Sequence, residues 1–157
     1  MKTAYLALGS NLGDRLEFLR FAARKLVQNG VEVAAKSKIY ASQSVESGGE
    51  GDFLNAVLRV RTSLNAPQLL ALCQSIEIEA GREPASAGLH RFGARALDID
   101  ILWFDGEVWN ETELEIPHPR ALNRNFVLKP LLDVLEGGWL EATDLSWSRS
   151  LATDERR

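Results

Sequence analysis

Arg91–Leu102, RFGARALDIDIL, is the stretch whose reading decides the fold. Its second half reads as a buried strand, yet it carries two carboxylates. In a strand, residues i and i+2 face the same way, about 6.6 Å apart at roughly 3.3 Å of rise per residue. Asp98 and Asp100 therefore share one face, and Leu97, Ile99 and Ile101 share the other. Like charges on one face repel each other and resist burial unless something positive meets them. Two answers fit the residues. A solvent-facing strand side can pair its aspartates with arginines. Alternatively, a hard divalent cation can sit against both; Mg²⁺ is commonly held by one or two protein carboxylates plus phosphate oxygens. Positive charge gathers in two places. Arg91 and Arg95 precede Asp98, with Arg82 upstream, and the segment 117–130 holds His118, Arg120, Arg124 and Lys129 without one acidic residue. Cation plus arginines is the set of parts that grips polyphosphate.

Outward from this strand, the chain alternates periodicities. Thr3–Leu8 is a short apolar run that predicts a first strand, followed by the turn cluster Gly9–Gly13. Asp14 caps a helix with Leu16, Leu19, Ala23, Leu26 and Val27 at helical spacing, stopped by Asn29-Gly30. Val31–Tyr40 predicts a second strand, and Ser42–Asp52 a glycine-rich loop of a length that is often functional. Phe53–Thr62 predicts a strand with Leu54, Ala56, Leu58 and Val60 on one face and Phe53, Asn55, Val57, Arg59 and Arg61 on the other. Asn65 opens a second helix with Pro67 in its first turn, and Leu69, Leu72, Cys73, Ile76 and Ala80 form its stripe. After the loop Arg82–Arg91 comes the aspartate strand, Ala96–Phe104. Asp105-Gly106 then signals a hairpin to Glu107–Trp109. Ile116–Pro119 is extended. Phe126–Leu135 predicts a helix with Leu128, Leu131, Leu132 and Leu135 on its apolar side. The order β-α-β-β-α-β, plus a C-terminal extension, predicts an α+β, ferredoxin-like core: an antiparallel sheet with helices on one face.

With 157 residues, 45% apolar and 25% charged, the chain predicts one globular domain over 1–157 with a mobile polar end. The net charge of −4 argues against general nucleic-acid binding. No apolar run is long enough to span a bilayer, and no secretory leader is visible. The lone Cys73 cannot form an internal disulfide, which points to a reducing compartment; the cytoplasm and a monomer are the expectations. Neither G-x-x-x-x-G-K-[ST] nor a full dinucleotide fingerprint occurs, so a nucleotide here would bind without a Walker loop.

The segment Arg91–Leu102 matches, at every fixed position, a pattern of basic residue, any residue, Gly, small residue, Arg, two residues, Asp, aliphatic, Asp and two aliphatics. With AYLALGSNLGDR at 4–15, DFLNAV at 52–57, IEIEAGR at 76–82 and IPHPRALNRNFVLKPL at 116–131, it resembles the 6-hydroxymethyl-7,8-dihydropterin pyrophosphokinase family. The resemblance implies transfer of the β,γ-diphosphate of ATP to the hydroxymethyl group of 6-hydroxymethyl-7,8-dihydropterin. AMP is released, and the step belongs to folate synthesis.

By this resemblance, Asp98 and Asp100 hold two Mg²⁺ ions across the ATP phosphates. Arg82, Arg91, Arg95 and Arg124 grip phosphate oxygens, His118 bonds phosphate without serving as general base, and Gln74, Glu77, Phe92 and Ile101 map onto nucleotide contacts. Phe53 and Phe126 sandwich the pterin, Asn55 reads it, and backbone groups at Ser42 and Val45 complete its pocket. The chain departs from the commonest family pattern at Phe53, Phe92 and Ala94 and in the 42–51 loop, which bears on affinity and loop ordering. Two other classes fit less well: a silent binding domain, disfavoured because both aspartates, Arg95, His118, Arg124 and Asn55 occur together, and an Asp-x-Asp sugar-nucleotide transferase, disfavoured by the short chain and lack of parallel βαβ units.

Overall fold

The computed structural model describes residues 1–43, 52–81, 96–135, 140–141 and 154–156. Strands β1 (Lys2–Ser10), β2 (Glu32–Lys36), β3 (Tyr40–Gln43), β4 (Asp52–Thr62) and β5 (Asp98–Phe104) form the main sheet. Helices α1 (Arg15–Gln28) and α2 (Ala66–Glu79) lie between them in sequence. The strand order is β5-β1-β4-β2, with β3 also on β4, and all of these pairs are antiparallel. This is the split β-α-β arrangement expected from the element order.

Both helices start where the sequence says they should. The Glu17 N–H donates to the Asp14 carboxylate at 3.1 Å. Asn65 and Gln68 form a reciprocal capping box, satisfying two otherwise orphaned N–H groups. The α1 and α2 face of the sheet buries Leu6, Leu8, Leu19, Leu26, Leu58, Leu69, Cys73, Ile76 and Ile101 as one core. A third helix, α3 (Asn125–Leu135), covers the opposite face, where Ala35, Val57, Leu102, Phe126, Val127 and Val134 form a second core. Helices on one face thus describes the β-α-β-β-α-β unit; α3 adds a layer behind it. Short strands β8 (Leu140–Glu141) and β9 (Asp154–Arg156) pair with β2 and β3. Among the described residues no helix is long and apolar enough to cross a membrane.

Four details differ from the sequence reading. β1 runs two residues further than expected, so Gly9 and Ser10 belong to the strand. The single strand expected over Val31–Tyr40 is broken. Buried Ser37 sits in the gap, its N–H donating to the Val57 carbonyl and its hydroxyl accepting from the Val57 N–H, both at 2.9 Å. Both pieces thereby stay on β4. Asp105-Gly106 does make a tight turn, with φ of 48° and 75°, but the chain does not return along β5. Instead β6 (Trp109–Glu111) pairs with β7 (Leu114–Ile116), and among the described residues β5 remains an edge strand. Finally, Val27, Leu132 and Leu135 are about half exposed or more. Ala22 takes the inward place on α1, and Val127, Pro130 and Val134 supply the core side of α3.

Candidate active site

The cleft lies where the carboxylate face of β5 emerges from under α3. Leu102 on that face is buried against α3, while Asp98 is half-buried and Asp100 exposed. The other face, Leu97, Ile99 and Ile101, packs into the α1 and α2 core. The alternation expected from the sequence therefore holds, and the aspartates face the cleft rather than the core. The same cleft is lined by Asn55 from β4, His118 and Arg124 from the segment before α3, and Phe126 from its first turn. Six of the residues expected from the sequence thus converge from four separate segments.

The floor explains how they can be so close. Gly9 stands in register between Asn55 on one side and Asp98 on the other, and Ala7 between Val57 and Asp100. Two small residues on β1 leave the space between these functional side chains open. The signal was present as Ala7-x-Gly9, but the sequence reading assigned Gly9 to a turn.

Each polar side chain has a defined setting. The His118 Nδ1 accepts from the Ala121 N–H at 3.2 Å and from the Arg120 N–H at 3.4 Å. The ring proton therefore belongs on Nε2, which makes that end a donor. The His118 backbone N–H donates to the Leu102 carbonyl at 3.1 Å, fixing the segment to β5. The Arg124 carbonyl accepts from the Val127 and Leu128 N–H groups and so starts α3. Its guanidinium lies 5.5 Å from the Phe126 ring centroid, a cation–π stack that orients the planar group. Asn55 is buried and donates through Nδ2 to the Ser42 hydroxyl at 2.7 Å.

Gln74 and Glu77, expected together on one helix face, part company. Gln74 lines a cleft of about 650 Å³ between α2 and the β6–β7 hairpin, with Leu70 and Thr112. Glu77 is 5% exposed, and its carboxylate accepts the Ile99 N–H at 2.7 Å. It braces the aspartate strand from the side. Ile101 lines a smaller cavity, together with Leu70, Asp100, Thr112 and His118, adjoining the Gln74 cleft. Burial pushes the Cys73 thiol up to about 12, with Glu77 and Asp100 adding to the effect; it is a core residue without nucleophilic character at neutral pH. Phe53 is buried and does not line the aspartate cleft. Val45, Arg82, Arg91, Phe92 and Arg95 lie outside the described residues.

Asp98 and Asp100 offer hard oxygen donors on one strand face, open to the cleft. Among the described residues no group of three His, Cys, Asp or Glu side chains gathers. That donor set fits Mg²⁺ completing its shell with phosphate oxygens and water.

Residues 5–136 match the family model of the 7,8-dihydro-6-hydroxymethylpterin-pyrophosphokinase. A 2-amino-4-hydroxy-6-hydroxymethyldihydropteridine pyrophosphokinase of Bacillus subtilis is 39% identical, over 97% of this chain and 94% of its own. One of Aquifex aeolicus is 38% identical, over 85% and 81%. The folic acid synthesis protein fol1 of Pneumocystis carinii is 41% identical over 85% of this chain, which spans 17% of that longer protein. A solved Plasmodium falciparum HPPK-DHPS shares the fold at a TM-score of 0.65 and 15% identity, covering 91% of this chain and 43% of that one. With the model match covering most of its length and bacterial relatives nearly collinear with it, the chain belongs to the 7,8-dihydro-6-hydroxymethylpterin-pyrophosphokinase family.

Proposed function

We propose that the aspartate cleft is where this chain carries out its family's reaction, pyrophosphoryl transfer to hydroxymethyldihydropterin in folate biosynthesis. The observation that carries the reading is the convergence of Asn55, Asp98, Asp100, His118, Arg124 and Phe126 on one cleft, which the Ile101 cavity links to a further cleft large enough for a nucleoside.

The nucleoside occupies the side lined by Leu70, Gln74 and Thr112. Ladder geometry supports a backbone reader there. In an antiparallel pair, alternate residues turn both N–H and C=O to the same side. The Ile99 N–H points away from β1, to Glu77, so Ile101 projects its N–H and carbonyl outward too. That donor–acceptor pair suits the edge of adenine. The phosphate chain then runs across Asp98 and Asp100, with the Nε2–H of His118 and the Arg124 guanidinium donating to its oxygens. Arg82, Arg91, Phe92 and Arg95 belong to the same grip in this reading. The pterin lies against Phe126 beside Asn55, with backbone groups at Ser42 and Val45 completing that end; Phe53, buried away from the aspartate cleft, would have to turn toward the ring to share in the stack.

Bound by Asp98 and Asp100, Mg²⁺, expected as two ions, would offset the phosphate charge that repels an incoming hydroxyl. The chain's own contribution is positioning: the pterin hydroxymethyl oxygen is held in line with the β-phosphorus. Its attack forms the new P–O bond as the bond to the α,β-bridging oxygen breaks; AMP leaves with that electron pair, and the hydroxyl proton passes to water. A buried lone cysteine accords with a cytoplasmic enzyme, and we expect a monomer.

The test is to incubate the protein with MgATP and 6-hydroxymethyl-7,8-dihydropterin and resolve the nucleotides. AMP should appear in step with pterin diphosphate, and disappear with EDTA. ADP, or no turnover with the pterin still bound, would sink the reading.

A further inference from the structure

Asn55 is 3% exposed, and an amide turned the wrong way exchanges a donor for an acceptor. Its orientation in the cleft therefore has to be held by something. The Tyr40 carbonyl, opposite Asn55 in the β3–β4 ladder, can only accept, and it lies 3.4 Å from Nδ2. The fully buried Ser42 hydroxyl lies 2.7 Å from the same nitrogen. Together they draw the NH₂ group toward β3, so the amide carbonyl is the end directed away from it. β3 is only four residues long and is held in turn from α3. The Asp133 carboxylate accepts from the Tyr40 hydroxyl at 2.8 Å and from the Lys38 N–H at 3.0 Å.

We propose that Ser42, through its side-chain hydroxyl, and the Asp133–Tyr40 pair form a positioning relay that fixes the orientation of the Asn55 amide and so sets which ring edge the pterin end of the cleft accepts. The relay rests on the placement of the pterin beside Asn55. It gives the Ser42 side chain and two residues outside the cleft a role in ring specificity. Asp133 lies near the opposite end of α3 from Phe126, so the helix that carries the ring-stacking residue also anchors the strand that orients the ring reader.

The experiment measures binding of 6-hydroxymethyl-7,8-dihydropterin, and of an analogue with a 2,4-dioxo ring, in the presence of Mg²⁺ and a non-hydrolysable ATP analogue. Variants are Ser42→Ala, Ser42→Thr, Tyr40→Phe and, as a control, Asn55→Ala; affinity for the nucleotide analogue and Tm are measured on each. Ser42→Ala should weaken pterin binding about tenfold and narrow the discrimination between the two rings, with nucleotide affinity unchanged. Tyr40→Phe should do the same more weakly, about threefold. Ser42→Thr, which keeps the hydroxyl, should restore both. Unchanged pterin affinity in Ser42→Ala and Tyr40→Phe, with Asn55→Ala impaired, overturns the relay alone. An Asn55→Ala protein that binds pterin normally overturns the placement and the relay together. Pterin and nucleotide affinity falling in parallel with Tm would mean a general loss of structure, and also overturns it.

Discussion

The carboxylate of Glu77 accepts the backbone N–H of Ile99, the residue between Asp98 and Asp100, at 2.7 Å. β5 is an edge strand among the described residues, and an edge has unpaired N–H groups. Glu77 fills one of them from α2, with a side-chain oxygen in a buried setting. The two aspartates are thereby held on a strand that is braced from both sides, by β1 and by a helix. Glu77→Ala would leave the Ile99 N–H unsatisfied and let the strand shift. The expected loss is about 1–3 kcal/mol of stability and about ten- to hundredfold in kcat. Glu77→Gln keeps an accepting oxygen and should recover most of both. Urea unfolding and single-turnover rates on the two variants check this. A Glu77→Ala protein with wild-type kcat would show that the brace has no part in placing the aspartates.

Asp98 and Asp100 place two like charges on one strand face, a pair that a bound cation relieves. Asp100→Asn removes one charge at nearly constant shape, so it should change the Tm of the metal-free protein less than that of the liganded one. It should also abolish most of the rise in Tm caused by Mg²⁺ with a nucleotide. Turnover should fall about a thousandfold, the several kcal/mol that such a site supplies. Thermal melts with and without Mg²⁺ and nucleotide separate the two effects. An Asp100→Asn protein with an undiminished ligand-induced shift would remove the case for metal ligation.

What the sequence made legible, and what it left hidden, follows from the range of the interactions involved. Strand alternation is local, so the opposite faces of Asp98 and Ile99, and of Asn55 and Leu54, could be read directly. Caps are local too, and Asp14 and Asn65 cap as expected. Helical spacing puts Gln74 and Glu77 on one side of α2, but it does not say which of them the neighbouring strand will cover. That depends on β5 passing over Glu77. The same gap explains α3: of the leucines expected inside, Leu131 packs against the core but Leu132 and Leu135 do not, and Val127, Pro130 and Val134 fill the buried side because the helix docks on Ala35 and Val57. The chemistry of the Asp105-Gly106 turn was readable. The partner of the following strand was not, because the turn does not say whether β5 will accept a neighbour.

Arg124 joins the two halves of the cleft: its guanidinium stacks 5.5 Å from the Phe126 ring and lines the wall that Asp98 and Asp100 share. Lysine at this position keeps the charge but loses the planar stack and the two-oxygen grip. Arg124→Lys should fold normally, because the backbone groups of residue 124 make the bonds that start α3. Stability should stay within about 0.5 kcal/mol of wild type, while kcat/KM falls about ten- to hundredfold. Steady-state kinetics beside a urea melt test the split. Full activity in the lysine variant would reduce this residue to a surface charge.

Cys73 gives the fold a pH dependence of its own. Burial, then the nearby Glu77 and Asp100 carboxylates, push the thiol up from 9.0 to about 12. A raised folded value means that the unfolded chain loses this proton first. The thiol's contribution is thus intact below about pH 9 and is lost as pH rises toward 12. In that window the stability should fall by up to about 1.4 kcal/mol per pH unit from this group alone. Cys73→Ala costs some packing at every pH, so the comparison to make is between slopes, not absolute values. Urea melts of the two proteins from pH 8 to pH 10.5 should give a shallower decline for the alanine variant. The native thiol should also resist alkylation at pH 8 and react readily once unfolded. Equal slopes, or fast labelling of the native protein, would mean that Cys73 is not sealed in the core as the structure has it.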